Sequence, residues 1–351
     1  MLDPIALTRE LIDVPSTTEN ELAVGERLER ELTRLGFDTQ RHEVTPTRFN
    51  LLARAGGRPR VVFNTHIDTV PPWIESSEDE EYIYGRGACD TKGIIAAMLA
   101  AGERLRLRGV EDFAFLFVVG EETDSAGAKL ANTAFADLGS EYVVVGEPTE
   151  SMFASASKGA LYANVRFEGV AAHSAYPHLG ESAINKMVAA IAEINATDWG
   201  AHHHLGKTTV NIGTVRGGQR PNIIPDEAEC EVFFRLVTTP EEVQRRLEDL
   251  VAQHGGRVTA SRGNVPQLMI VPEGQPSAVV SFNTDVPWLK NLGKPLLFGP
   301  GSILDAHGVG EKIGKQELLA AVGTYEEMVV SLLEGRVAES QSLKVSKEPP
   351  L

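Results

Sequence analysis

Four short apolar runs punctuate the chain, and each stops at a glycine or a polar turn. They are Val61-Val62-Phe63, Phe115-Leu116-Phe117-Val118-Val119, Val143-Val144-Val145 and Leu296-Leu297-Phe298. Runs this short, with no polar alternation, read as strands covered on both faces, as in a parallel sheet between helical layers. Asp3 and Pro4 supply an N-cap and first helical position for a helix over about residues 4–13. Thr18-Glu19-Asn20-Glu21 is a capping-box pattern opening a second helix that stops at Gly36. Strands and helices then alternate to about residue 150, the signature of a parallel α/β sheet. An alanine-rich helix follows Gly87-Ala88-Cys89-Asp90-Thr91-Lys92-Gly93 and runs to about Arg108, with Asp90 where an N-cap would sit.

The texture changes near residue 159. Leu161 to Phe167 alternates apolar and polar, as in a half-exposed strand. A helix over about 181–196, strands around 208–215 and 227–237, a helix over about 240–254 and a strand around 257–261 follow. This strand–helix–strand–strand–helix–strand order predicts an α+β layer domain of ferredoxin-like type. After about residue 265 another buried strand and a helix at about 315–334 return the chain to the first domain. The expected architecture is an α/β domain with a mixed, mostly parallel sheet over residues 1–158 and 266–337. An inserted α+β domain occupies 159–265, and the polar stretch 338–351, ending in Pro349-Pro350, is expected to be disordered.

Length and composition narrow the class. A chain of 351 residues buries a large core and divides readily into two domains, and 42% hydrophobic with 23% charged residues is ordinary for a globular protein. No apolar run reaches membrane-spanning length. The start, Met1-Leu2-Asp3-Pro4, lacks a basic region followed by an apolar stretch, so no signal peptide is expected. Two cysteines, Cys89 and Cys230, are too few for a disulfide scaffold and fit a reducing, cytoplasmic setting. The net charge of −16 argues against nucleic-acid and anionic-membrane partners, which demand a basic surface.

Part of that acidity falls at the strand ends. Ligands in open α/β sheets bind outside the carboxyl ends of the parallel strands. The four runs lead into His66 and Asp68, into Glu121 and Glu122, into Glu147, and into a Gly-Pro-Gly loop carrying Asp305 and His307. Two histidines with several carboxylates and no thiolate form a borderline-hard donor set suited to zinc, cobalt or manganese. Two such ions about 3.5–4 Å apart can polarise a carbonyl and activate water at neutral pH. That chemistry needs one carboxylate between the ions and another that is not a ligand, to move the proton. The adjacent Glu121 and Glu122 suit this division because neighbours leaving a strand point different ways. Asp68, two residues after His66, is placed to fix the histidine tautomer from behind.

The motifs His66-Ile67-Asp68-Thr69-Val70-Pro71, Gly85-Arg86-Gly87-Ala88-Cys89-Asp90-Thr91-Lys92-Gly93, Gly120-Glu121-Glu122, Gly146-Glu147-Pro148-Thr149 and the late Gly-Pro-Gly…Ala-His carry a resemblance. Over about residues 1–335 the chain resembles the dinuclear zinc amidohydrolases that include acetylornithine deacetylase, succinyl-diaminopimelate desuccinylase, aminoacylase-1 and carboxypeptidase G. The resemblance implies a zinc-exopeptidase-like catalytic domain with an inserted lid and dimerisation domain, two Zn2+ ions (Co2+ or Mn2+ possible), and a homodimer. It makes His66 and Glu147 ligands of one zinc, Glu122 and His307 ligands of the other, and Asp90 the bridge. Glu121 would be the general base and acid, with Asp68 behind His66. His173 resembles the family histidine that reaches a neighbouring subunit's site to stabilise the oxyanion. Asn222 and Arg235 match positions that contact the substrate, arginine suiting a carboxylate through its bidentate fork. One departure stands out: many relatives follow the last histidine with Thr-Pro and an acidic residue, where this chain reads His307-Gly308-Val309-Gly310-Glu311.

The implied activity is hydrolysis of the amide of a small N-acyl amino acid, acetylornithine deacetylase-like. Desuccinylation of diaminopimelate and dipeptidase or carboxypeptidase cleavage are alternatives; from another class comes a non-catalytic metal-binding protein on the same scaffold. Plainer readings stand beside the sharp ones. Any one carboxylate after a strand is often just a helix cap. His173 can be a surface histidine, Asn222 a turn residue beside Pro221, and Arg235 an outward-facing strand residue. His202-His203-His204 reads as an exposed loop run, since consecutive strand residues face opposite sides and rarely chelate together. Cys89 reads as a small buried residue and Gly217-Gly218 as a turn.

Overall fold

The computed structural model describes residues 1–336, so the expectation for 338–351 lies outside the described residues. The chain divides into two units. Unit 1 comprises Met1–Ser155, Leu268–Ala278 and the stretch from Thr284 on; unit 2 comprises Ala156–Gln267 and Val279–Asn283. The return to the first unit is therefore not the single crossing expected at 266. Residues 279–283 stay with unit 2, where the Lys158 N–H donates to the Val280 carbonyl at 3.1 Å.

Unit 1 is built on a six-stranded sheet. Its strands are β1 (Asp38–Thr45), β2 (Arg48–Arg54), β3 (Val61–His66), β4 (Phe113–Val118), β5 (Tyr142–Val145) and the Lys294–Leu297 strand. The spatial order is β1, β2, β4, β3, β5 and then Lys294–Leu297. The first two pairings are antiparallel and the last three parallel, a mixed and mostly parallel sheet. The predicted strand–helix alternation fails at residues 38–54. The two-residue link Pro46-Thr47 is too short for a crossover helix, so β1 and β2 form a hairpin.

Every residue of β3 and β4 is buried. Helix α1 (Pro4–Ile12) is capped by Asp3, whose carboxylate accepts from the N–H groups of Ile5 and Ala6. Helix α2 (Leu22–Arg34) starts without the predicted capping box: its N-cap, Glu21, makes no cap bond and instead takes Arg48 in a two-pronged pair at 2.9 and 2.6 Å. Helix α3 (Gly93–Leu107) is buried all round for its first ten residues and packs against α1 and α7 (Lys315–Leu333). Its alanines explain this, because small side chains let a helix sit between a sheet and two other helices. Phe63 stacks on Phe115 at 5.5 Å and meets the edge of Tyr325 at 5.5 Å, and such pairs contribute about 0.5–1.5 kcal/mol each beyond burial. The Tyr325 hydroxyl donates to the Phe298 carbonyl at 2.8 Å, tying α7 to the chain leaving the last strand.

Unit 2 has strands β6 (Gly159–Glu168), β7 (Thr209–Gly217), β8 (Glu227–Leu236) and β9 (Gly256–Asn264), with helices α5 (Ala183–Ala196) and α6 (Pro240–Gln253). Helix α4 (Ala126–Ala134) belongs to unit 1. The strand order β7-β8-β6-β9 is antiparallel throughout, which is the ferredoxin-like arrangement. Ala228, Cys230, Val232, Phe234 and Leu236 alternate along β8 onto the buried face, where they meet Met187 and Ile194 of α5 and Val243 and Leu247 of α6. Among the described residues no helix is long and apolar enough to cross a membrane.

Candidate metal centre

The parallel strands β3, β4 and β5 end on one side of the sheet, and so does the Lys294–Leu297 strand. His66 is the last residue of β3 and is 2% exposed. Its Nδ1 lies 2.9 Å from the main-chain oxygen of Asp68, which can only accept, so Nδ1 carries a proton. Nε2 faces the other way, 3.0 Å from Asp90 Oδ1. Burial works against a charged His66, but the Asp68 and Asp90 carboxylates outweigh it and hold the imidazole well above its usual range.

The Asp68 carboxylate has a job that sequence reasoning did not foresee. At 3.6 Å from His66 Nδ1 it is beyond hydrogen-bond reach. It accepts instead from the N–H groups of Gly120 (2.9 Å), Glu121 (3.2 Å) and Glu122 (3.2 Å) and from the Thr18 hydroxyl (2.8 Å). One buried carboxylate thus shapes the turn after β4 that carries both glutamates. Gly120 enters that turn at φ +81°, a left-handed conformation that glycine adopts without strain.

Asp90 is not the N-cap of α3, which begins at Gly93 with Lys92 at the cap position. Asp90 sits in the irregular turn before it with φ −124° and ψ 83°. This backbone frees its side chain to aim one oxygen at each histidine. Oδ1 lies 3.0 Å from His66 Nε2, and Oδ2 lies 3.3 Å from His307 Nε2. Burial opposes ionisation, but the two imidazoles prevail and hold the carboxyl well below the ordinary carboxylate range. His307 Nε2 also lies 3.1 Å from Glu122 Oε1. These two carboxylates, Asp90 first, push the half-exposed His307 up to about 10. Ligand atoms of His66, Asp90 and Glu122 all lie within 4.8 Å of one another.

Glu147 follows β5 at 4% exposure. Gly146 before it lets the chain pass close to α3, where a Cβ would meet Ile94 Cγ2 at 2.5 Å. Burial, then repulsion from Glu121, raises the Glu147 carboxyl well above its ordinary value. Glu121 is raised in the same way by burial, with the nearby His66 opposing and Asp285, Glu122 and Asp90 adding to the rise. Among the described residues, no lysine or arginine forms an ion pair with Asp90, Glu121, Glu122 or Glu147. Four carboxylates gathered with two imidazoles, without a lysine or arginine partner, fit a divalent cation in chemistry and in charge.

Three buried residues here escaped the sequence reading. Arg86 and Glu311, each 1% exposed, form an ion pair at 2.5 Å beneath the loops of Asp90 and His307. Both stand in stretches singled out above, Arg86 inside the Gly85–Gly93 motif and Glu311 at the end of the departure after His307. Asp285, 2% exposed, is pushed up to about 7 by burial, with Ser125 opposing; a lone carboxylate before Val286-Pro287-Trp288 gives no signal of this. Cys89 is a buried free thiol raised by burial and by the neighbouring Glu311 and Asp90 carboxylates.

The other expected site residues lie in unit 2. His173 and Asn222 come together: His173 pairs with Ile223 in a short antiparallel ladder, and the Ser174 N–H donates to the Asn222 carbonyl at 3.1 Å. Both are exposed. Arg235 lies on β8 with its guanidinium 4.7 Å from the Phe233 ring centre. Ala201 to Lys207 form a small surface hairpin around His203 and His204.

Comparison with known proteins decides the family. Residues 155–259 match the peptidase dimerisation domain of the M20 type. A peptidase M20 domain-containing protein of Schizosaccharomyces pombe is 36% identical over 338 residues, covering 93% of this chain and 84% of the relative. The chain belongs to the M20 peptidase family. A second relative, named a probable carboxypeptidase of Aspergillus flavus, is 35% identical over 376 residues, covering 94% and 90% of the two chains. The fold matches a tripeptidase of Staphylococcus aureus (TM-score 0.79, 21% identity, 94% and 99% covered). It also matches an M20 family metallo-carboxypeptidase of Sulfolobus solfataricus (TM-score 0.76, 16% identity, 94% and 99% covered).

Proposed function

We propose that this M20 protein is a metal-dependent hydrolase of linear amide bonds, cleaving a small N-acyl amino acid. The observation that carries the reading is Asp90, whose two oxygens face two different imidazoles among carboxylates that lack a lysine or arginine partner. The donor set fits zinc, with cobalt or manganese as alternatives. His66 and Glu147 would hold one ion, Glu122 and His307 a second, and Asp90 would lie between them. Two such ions would supply Lewis acidity at the scissile amide.

Glu121 is the proton carrier in this reading. Its main chain is fixed by Asp68, and its carboxylate makes no hydrogen bond to a described residue. It takes a proton from the attacking water and returns it to the leaving nitrogen. His173, Asn222 and Arg235 carry the substrate contacts on the strength of resemblance, and the M20 dimerisation domain supports a homodimer.

Within the class, the resemblance puts removal of an acetyl group, as from N-acetylornithine, first, although its motifs do not separate that branch from the desuccinylases. A carboxypeptidase reading is favoured by relatives at 32–35% identity, each named a probable carboxypeptidase. The test is primary-amine release by zinc- or cobalt-loaded protein, with a chelated control. The panel holds N-acetylornithine, N-acetylcitrulline, N-acetyllysine, N-succinyl-diaminopimelate and several dipeptides. Metal-dependent release from an acetylated amino acid supports the first reading. Release from peptides alone moves the protein to the peptidase branch, and silence throughout favours a non-catalytic metal-binding role.

A further inference from the structure

We propose that the buried Arg86–Glu311 pair is a positioning clamp that sets the separation of Asp90 and His307, and with it the affinity of the site for its cation. The inference rests on the metal reading above. Its basis is where the remaining hydrogen bonds of the pair go. Arg86 donates from Nη2 to the His307 carbonyl (3.2 Å), from Nη1 to the Gly308 carbonyl (3.3 Å) and from Nε to the Pro72 carbonyl (3.2 Å). Glu311 Oε1 accepts from the N–H groups of Asp90 (3.2 Å) and Cys89 (3.3 Å). The guanidinium therefore holds the main chain of one ligand and the carboxylate holds the main chain of the other. The two ligand side chains meet at 3.3 Å.

Apolar packing does not do this work. The loop around His307 presents Leu304 at 86% and Val309 at 88% exposure, so it has little burial to anchor it. His307 itself sits at φ +63°, a conformation its own backbone disfavours and its surroundings must hold. A buried ion pair is weak support for stability, because its desolvation cost offsets much of the attraction and well-packed apolar side chains often do as well. What apolar side chains cannot do is bond five main-chain groups in three separate segments. Lysine cannot either, because it lacks the planar fork.

The test compares the wild type with Arg86→Lys, which keeps the charge, and with Arg86→Met/Glu311→Leu, which removes both charges at similar volume. A control, Arg27→Met/Glu31→Leu, removes a pair on α2 remote from the site. Zn2+ affinity is read by competition with a chromophoric chelator, the environment of Co2+ by its visible absorption, and folding of the metal-free protein by circular dichroism. Partners that orient ligands typically carry a factor of about 10–100 in metal affinity. The clamp variants should lose about that factor and shift the cobalt spectrum, including the double variant if its melting temperature matches the wild type. The control should lose melting temperature and keep its zinc affinity. Wild-type zinc affinity in Arg86→Lys, or an equal loss of affinity in the control, overturns the clamp. If the double variant does not fold, Arg86→Lys decides alone. If the wild type binds no zinc, the metal reading itself fails, and the clamp with it.

Discussion

Replacing Asp68 by asparagine isolates the residue that shapes the turn carrying Glu121 and Glu122. Its Oδ1 accepts from Gly120 and Glu121, and its Oδ2 from Thr18 and Glu122. In Asp68→Asn the amide nitrogen does least harm at the Oδ2 position. There the Thr18 hydroxyl can turn to accept, but the Glu122 N–H faces another donor. That bond is lost, and the two bonds to Oδ1 fall from charge-assisted to neutral strength. A hydrogen bond to a charged group contributes about 1.5–3 kcal/mol and a neutral one about 0.5–1.5 kcal/mol. One lost bond and two weakened ones come to about 3–5 kcal/mol. For a protein of this size that lowers Tm by about 4–7 °C. The turn that carries Glu121 also loses its template, and a displacement of about 1 Å at a reacting group can cost roughly 100-fold in rate. Thermal unfolding of the metal-free variant and kcat on the substrate found by the panel measure the two effects separately. A variant that melts within about 2 °C of the wild type and turns over at its rate would refute this account of Asp68.

Two further predictions follow from the same geometry. Glu121→Gln should keep both metals, because Glu121 is outside the assigned ligand set, and lose kcat by about 10²–10⁴-fold; metal analysis beside turnover checks this, and near-normal turnover sinks Glu121 as the proton carrier. On α2, burial raises Glu31 but hydrogen bonds from Arg34 and Arg27 outweigh it, so its folded pKa is depressed. A depressed carboxylate contributes stability that is present above its unfolded pKa of about 4.3 and is lost as pH falls through the folded value. Glu31→Gln should therefore be destabilised at neutral pH, and the gap to the wild type should close in acid; a gap that stays constant to low pH contradicts the assignment.

Much of this protein was legible in its sequence. A short apolar run that ends at a glycine or a polar turn fits a strand buried on both faces, and the apolar runs of β3, β4 and β5 are buried as that reading requires. Parallel strands share a carboxyl edge, so the residues after them gather there whatever the rest of the fold does. His66, Glu122 and His307 reach one edge for this reason, and Asp90, from the turn before α3, meets both histidines there at 3.0 and 3.3 Å. The alternation in unit 2 was equally readable, because β8 has one buried face and one exposed face.

What sequence could not decide was the partner of each polar group. Thr18-Glu19-Asn20-Glu21 has the pattern of a cap, but Arg48 offers Glu21 a charged fork from 27 residues away and takes it. Asp90 has the position of a cap, yet the turn before α3 breaks helical geometry and turns it toward two imidazoles. Asp68 bonds across 52–54 residues, and Glu311 across 221–222. Local pattern records which side chains must be buried, since burial depends on period and composition. It does not record which donor meets which acceptor, since hydrogen bonds act only at contact and these contacts exist only once the sheet has assembled. The sequence by itself therefore determined the parallel strands of the sheet and the chemistry that follows them, and the tertiary structure alone decided the antiparallel edge and what holds that chemistry in place.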